Sequence, residues 1–161
     1  MLTIITINYN NQRGLKKTLQ SVEEQTLKTG FEHVIVDGGS IDESQKYIRN
    51  YIKRKKNVKW LSEVDSGIYN AMNKGIALSS GDMVAFLNSG DVLTSPTILL
   101  ELSKITAEFT SFDVIYGDLE IVTLEGSLLR KWNSGHYSWL KVLTGWMPPH
   151  PMTIIRKEIM N

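Results

Sequence analysis

The residues of this chain best suited to chemistry are carboxylates and polar groups placed just after apolar runs. Asp91 follows Met83-Val84-Ala85-Phe86-Leu87 through the short link Asn88-Ser89-Gly90. A run without alternation reads as a central strand covered on both faces. In open α/β sheets, ligands bind beyond the carboxyl ends of such strands. Asp91 could hold a divalent cation, Mn2+ or Mg2+, bridging two phosphates, because hard cations take oxygen ligands and keep waters and substrate oxygens in their shell. Capping a helix that follows is its alternative role. Asp37 ends a second run, Phe31 to Val36, and could accept a hydrogen bond from a base or ribose, or serve the turn around Gly38-Gly39. Tyr9 follows Leu2 to Ile7 and could stack on a base, or be a partly buried loop aromatic. His150 lies in Trp146-Met147-Pro148-Pro149-His150-Pro151, where an imidazole can be held for a ligand or can be purely structural. Asp118 and Glu120 stand at i and i+2, so they share one face of a strand and look into an acceptor cleft or into water.

The elements that must position these groups follow from the hydrophobic pattern. Strands are expected at Leu2 to Ile7, Phe31 to Val36, Val58 to Leu61 and Met83 to Leu87. Between them, Leu15, Leu19 and Val22 mark a helix over 12–25. Ser40 and Glu43 have capping-box spacing and open a second helix that buries Tyr47, Ile48, Tyr51 and Ile52. Its end carries Lys53-Arg54-Lys55-Lys56, read as a solvated terminus that complements the helix dipole. Asp65-Ser66-Gly67 starts a third helix, with Ile68, Ala71, Met72, Gly75 and Ile76 on one face and Asn70, Asn73 and Lys74 mostly on the other. Ser79-Ser80-Gly81-Asp82 stops it. The alternation β-α-β-α-β-α-β argues for a largely parallel sheet with helices on both faces. A parallel sheet puts the polar clusters after strands one, two and four on one edge, where Tyr9, Asp37 and Asp91 could line a single crevice. Beyond it, a helix is expected from Pro96 to Phe109, opened by Ser95, then strands over 114–123 and 127–132 joined by Leu124-Glu125-Gly126. A short helix is expected within 134–145, irregular chain through 146–151 because of its prolines, a strand at 152–155, and the first turn of a helix from Arg156 before the sequence stops at Asn161.

At 161 residues the sequence reads as one domain. Hydrophobic residues at 42% allow a core, and a net charge of +1 gives no pull toward nucleic acid. The absence of cysteine excludes disulfides and thiolate metal sites. No apolar run is long enough to span a bilayer, and the N-terminus lacks the basic region of a signal peptide, so a cytoplasmic protein is expected. Neither a P-loop nor a G-x-G-x-x-G fingerprint is present; the chemistry must come from carboxylates and polar loops.

Four segments together resemble a family 2 glycosyltransferase of bacterial surface-polysaccharide type. They are Ile7-Asn8-Tyr9-Asn10; Val36-Asp37-Gly38-Gly39-Ser40-Ile41-Asp42; Gly67-Ile68-Tyr69-Asn70-Ala71-Met72-Asn73-Lys74-Gly75-Ile76; and Ala85-Phe86-Leu87-Asn88-Ser89-Gly90-Asp91. Met147-Pro148-Pro149-His150-Pro151 resembles a further loop of such proteins. The resemblance implies the GT-A fold, a Rossmann-like three-layer α/β/α sandwich with a mostly parallel central sheet. It implies transfer of a sugar from a nucleoside-diphosphate donor, UDP favoured, to an acceptor hydroxyl with inversion, the acceptor being a saccharide or lipid-linked saccharide. By position, Tyr9, Asn10, Asp37, Asn70, Asn73, Lys74 and Asn88 would hold the nucleotide-sugar. Asp91 would match the metal-binding aspartate of a D-x-D-type motif, with His150 as a second metal candidate. The family's general base usually lies beyond the end of this sequence, which leaves Asp118 and Glu120 as substitutes and a truncated, non-catalytic nucleotide-sugar-binding module as the alternative function. A nucleotidyltransferase would need a Gly-rich basic N-terminal loop, which is missing. Peripheral association with the inner face of the membrane and homo-oligomerisation complete the expectations.

Overall fold

Isoleucine and threonine dominate β1 (Leu2–Asn8), Val34-Ile35-Val36 fill the second half of β2 (Phe31–Asp37), and every residue of both strands is buried. The structure is a computed structural model describing residues 1–53, 55–108 and 111–160. The expectations that fall on Arg54, Phe109 and Asn161 lie outside the described residues. Parallel pairing joins β1 to β2, β2 to β3 (Val58–Ser62) and β1 to β4 (Met83–Phe86). The α-helices between these strands are α1 (Gln12–Glu23), α2 (Ser44–Ile52) and α3 (Ile68–Leu78). After β4 come α4 (Ile98–Glu108), β5 (Val114–Tyr116), the β6–β7 hairpin (Leu119–Val122 and Leu128–Trp132), α5 (Trp139–Leu143) and β8 (Thr153–Arg156). The central sheet has the order β3-β2-β1-β4-β8-β5, with β8 antiparallel to both its neighbours.

Alternation along each strand divides the core into two layers. Ile5, Ile7, Val34, Val36, Val84 and Phe86 pack on Ala71 and Met72 of α3. The opposite face carries Leu2, Ile4 and Ala85 against Val22 of α1 and Leu99 and Leu102 of α4, and Ile35 against Leu15, Leu19 and Ile48. Helices therefore cover both faces of a mostly parallel sheet, as the alternating pattern implies. Among the described residues no helix is long and apolar enough to cross a membrane.

Several expectations fail in instructive ways. Ser40 does not cap α2: its hydroxyl and its backbone N–H both donate to Asp37. The helix instead begins at Ser44, whose N–H donates to the Asp42 side chain. Ile68 heads the apolar face of α3 in sequence yet is half exposed. The stretch over 114–123 is two strands, because β5 pairs with β8 in the main sheet while β6 pairs with β7 in a separate hairpin. Pairing to different partners forces the break at Gly117-Asp118, so Asp118 and Glu120 do not share a strand face. A 3-10 turn at His150–Met152 interrupts the proline-rich segment, closed by the Met152 N–H donating to the Pro149 carbonyl at 3.0 Å. Lys157–Met160 is likewise a 3-10 turn, and Arg156 belongs to β8.

Candidate functional site

Parallel register sets Asn8, Asp37 and Ser62 side by side at the carboxyl ends of β1, β2 and β3. From that edge three loops are stitched into one row. Asn10, held at φ 47°, accepts the Ile41 N–H on its side-chain oxygen at 2.9 Å and donates its own N–H to Ser40 at 2.8 Å. Asn11 caps α1 through the Gly14 N–H and donates to the Ser89 carbonyl at 3.0 Å. The Thr18 hydroxyl donates to the Asp91 carbonyl at 2.7 Å and accepts the Gly90 N–H at 2.9 Å. The crevice loops after β1, β2 and β4 are thus fixed to one another by side chains that bridge them. The cavities lined by Leu27, Phe31 and Leu99 and by His33, Tyr51 and Asn57 lie at the opposite, amino-terminal edge. The carboxyl edge is the better candidate because parallel strands direct ligands there.

Asp91 is half-buried, and that burial pushes its carboxyl above the ordinary range, against a backbone hydrogen bond at Asn88 and the charge of His150. The capping alternative fails: α4 begins only at Ile98, and the preceding turn is made by Ser95 and Thr97. The His150 ring stacks on Phe86 with centroids 5.4 Å apart, which sets it at the end of β4. Asn88 buries its Oδ1 without a hydrogen-bond partner among the described residues. The Asp91 and Asn88 oxygens are donors of the kind that hard cations accept, while the His150 imidazole is a softer donor. Among the described residues no cluster of three or more His, Cys, Asp or Glu stands ready for a metal.

The other candidates separate sharply. Tyr9 is exposed beside Gly38. Asp37 is fully buried and accepts four hydrogen bonds, from the Asn8 amide, the Ser40 N–H and hydroxyl and the Ser62 hydroxyl. A carboxylate has about four lone-pair sites, so it has nothing left to offer a base: it braces the edge from beneath. Lys74 pairs with Glu63 at 2.8 Å and donates to the Val64 carbonyl at 3.0 Å. The Asn70 side chain accepts the Ser66 N–H. Both residues hold the β3–α3 loop, whereas Asn73 is exposed. Asn10 is likewise committed to its neighbours. Glu120 pairs with Lys131 across the hairpin at 2.8 Å, and Asp118 accepts the Ser134 N–H at 2.8 Å. The bridging residues Asn11, Thr18 and Ser62 escaped sequence reasoning because the partners they bridge to are distant in the chain; Asn11, three residues before Gly14, carried only a local capping signal, and Ser40 read as a helix cap rather than as a partner of Asp37.

The family model for glycosyl transferase family 2 matches residues 3–157. The chain belongs to glycosyl transferase family 2. It is 33% identical over 121 residues to a PGL/p-HBAD biosynthesis glycosyltransferase of Mycobacterium bovis, covering 74% of this chain and 46% of that protein. An uncharacterized glycosyltransferase of Mycobacterium tuberculosis is 38% identical over 100 residues, 62% of this chain and 37% of its own length. The chain thus spans less than half the length of these relatives. Among solved structures, S. aureus TarS in complex with UDP-GlcNAc aligns with a TM-score of 0.73 at 19% identity, over 99% of this chain and 46% of that one. The mannosyltransferase PcManGT of Pyrobaculum calidifontis, in complex with GDP-Man and Mn2+, aligns with a TM-score of 0.72 at 15% identity, over 99% of this chain and 45% of that one. At these identities the likeness is one of fold, and it places the α/β/α sandwich among the GT-A glycosyltransferases.

Proposed function

We propose that this chain is the donor-binding core of an inverting glycosyltransferase that takes a nucleoside-diphosphate sugar, UDP-linked by preference, and delivers the sugar to an acceptor hydroxyl in cell-surface polysaccharide synthesis. The observation that carries this reading is the half-buried Asp91 at the end of β4, within the electrostatic reach of His150 and fixed through Thr18 and Asn11 to the loop that bears Tyr9. Family membership and the nucleotide-sugars bound by TarS and PcManGT support it.

In this reading the exposed Tyr9 ring offers a face for the base. The rigid loop over 88–91 turns Asp91 toward the diphosphate. Asp91, with His150 and the Asn88 Oδ1 nearby, would hold a divalent cation, whose chemistry is to neutralise charge on the departing diphosphate. Inversion in one displacement also needs a base for the acceptor hydroxyl. Glu120 and Asp118 are already engaged by Lys131 and Ser134, so neither is assigned that role. Calorimetric titration of the chain with UDP-, GDP- and ADP-sugars, with and without Mn2+, tests the reading. Binding of a UDP-sugar that tightens with Mn2+ is expected; no binding of any of these donors in either condition overturns it.

A further inference from the structure

Gly38 and Gly39 owe their identity to a loop packed on top of them. A Cβ at Gly38 would lie 2.5 Å from Oδ2 of Asp65 and 3.3 Å from Cδ2 of Tyr9. Gly39 adopts φ +79°, and its Cβ would lie 3.0 Å from the Val64 side chain. Val64 and Asp65 thus bring the β3–α3 loop directly over the end of β2. A carboxylate from that loop occupies the place where a side chain at position 38 would stand, flanking one point in space with the Tyr9 ring.

The two oxygens of Asp65 have different duties. Oδ1 accepts the Gly67 N–H at 2.9 Å, which fixes the side chain at the start of α3. Oδ2 has no donor among the described residues and faces Gly38 and Tyr9. The loop behind it is braced: Lys74 holds the Val64 carbonyl and Glu63, and Asn70 accepts the Ser66 N–H. The polar side of α3 therefore holds one carboxylate oxygen in a set position over the crevice. Asp37 cannot present such an oxygen, since all its acceptor sites are filled from below.

We infer that Asp65 reads the donor's nucleobase, accepting its ring N–H on Oδ2 beside the Tyr9 ring. This rests on the reading of the crevice as a nucleotide-sugar site. A carboxylate oxygen accepts and cannot donate. It matches uracil or guanine, whose rings carry an N–H, and rejects cytosine and adenine, which place an acceptor at the corresponding ring position.

The test is calorimetry of the chain with UDP, GDP, CDP and ADP in Mn2+, comparing wild type with Asp65→Asn and Gly38→Ala. The amide introduced by Asp65→Asn keeps the oxygen that holds Gly67 and turns a donor toward the base, so a purely structural Asp65 would leave base preference unmoved. Wild type should bind UDP or GDP in preference to CDP and ADP. Asp65→Asn should shrink that ratio by about tenfold or more, the scale of one charge-assisted hydrogen bond. Gly38→Ala, which puts a methyl where Oδ2 stands, should shrink it too and serves if the first variant does not fold. Wild-type binding with no preference for a ring N–H, or an unchanged ratio in a folded variant, overturns the role of Asp65 and leaves the nucleotide-sugar reading standing. Absence of all binding by wild type overturns both.

Discussion

The Asn8 side chain donates to the Asp37 carboxylate at 2.8 Å, joining the last residues of β1 and β2 in a fully buried contact. Ser62 at the end of β3 donates to the other carboxylate oxygen, so three parallel strands finish on one side chain. The crevice edge is thereby built before any ligand arrives.

Asp37→Ala should accordingly act on the fold. It strands the Asn8 amide, the Ser40 N–H and hydroxyl and the Ser62 hydroxyl, and each buried unsatisfied donor costs ~1–3 kcal/mol. Some of these groups will recover water, so a loss of about 3 kcal/mol or more is expected in urea denaturation. A variant as stable as wild type with altered nucleotide preference would show that Asp37 belongs to the ligand instead.

Lys74→Met should loosen the β3–α3 loop while leaving the sheet intact. The ammonium is mostly buried against Glu63 and the Val64 carbonyl. Removing an interaction worth roughly 1 kcal/mol should raise amide exchange over residues 63–67 about fivefold. Exchange unchanged in that loop would mean that Lys74 is free to serve a ligand.

Acid should destabilise the fold through two groups on β2. Burial pushes Glu32 up, but hydrogen bonds from Lys59, Ser80 and Thr3 outweigh it and hold the carboxyl down at about 2, from 4.5. Burial, aided by the charge of Lys55, drives His33 from 6.5 down to about 3. Both folded values are depressed, so in each case the unfolded chain takes up protons first. The stabilisation from His33 is whole above pH 6.5 and drains as pH falls toward about 3; that from Glu32 is whole above pH 4.5 and drains toward about 2. The melting temperature should fall steadily from pH 7 to 3, and Glu32→Gln should flatten the lower part of that curve. A melting temperature that rises on acidification would contradict both assignments.

The sheet was legible because apolar strands covered on both faces leave unbroken runs, and polar loops mark their ends. The reversed β8, inserted between β4 and β5, was not legible, since partner choice for a short strand depends on edges far away in sequence. Ser40 illustrates the same limit in the site. Its spacing to Glu43 suggests a helix cap, but the buried Asp37 recruits it. Sequence places Asp37 at the correct edge without saying that its side chain turns inward. Asp65 reads locally as a helix start, which it is, while its second oxygen acquires meaning only when Gly38 lies beneath it.

Asp91 carries the last prediction. Its carboxylate is half-buried at the end of β4, raised by burial and pulled back by the backbone at Asn88 and the charge of His150. Cation binding requires the deprotonated form, so Mn2+-dependent affinity for UDP should weaken on acidification at a higher pH than for an ordinary exposed aspartate. Asp91→Ala should remove that Mn2+ dependence, a loss of well over tenfold or about 1.4 kcal/mol at least, with little change in melting temperature because Thr18 grips the Asp91 carbonyl rather than its side chain. His150→Ala should cost less, since its ring also packs on Phe86 and supplies one donor at most. Calorimetry of both variants with UDP in Mn2+ and in chelator reads the difference. Equal Mn2+ enhancement in wild type and a folded Asp91→Ala would move the metal site elsewhere in the crevice.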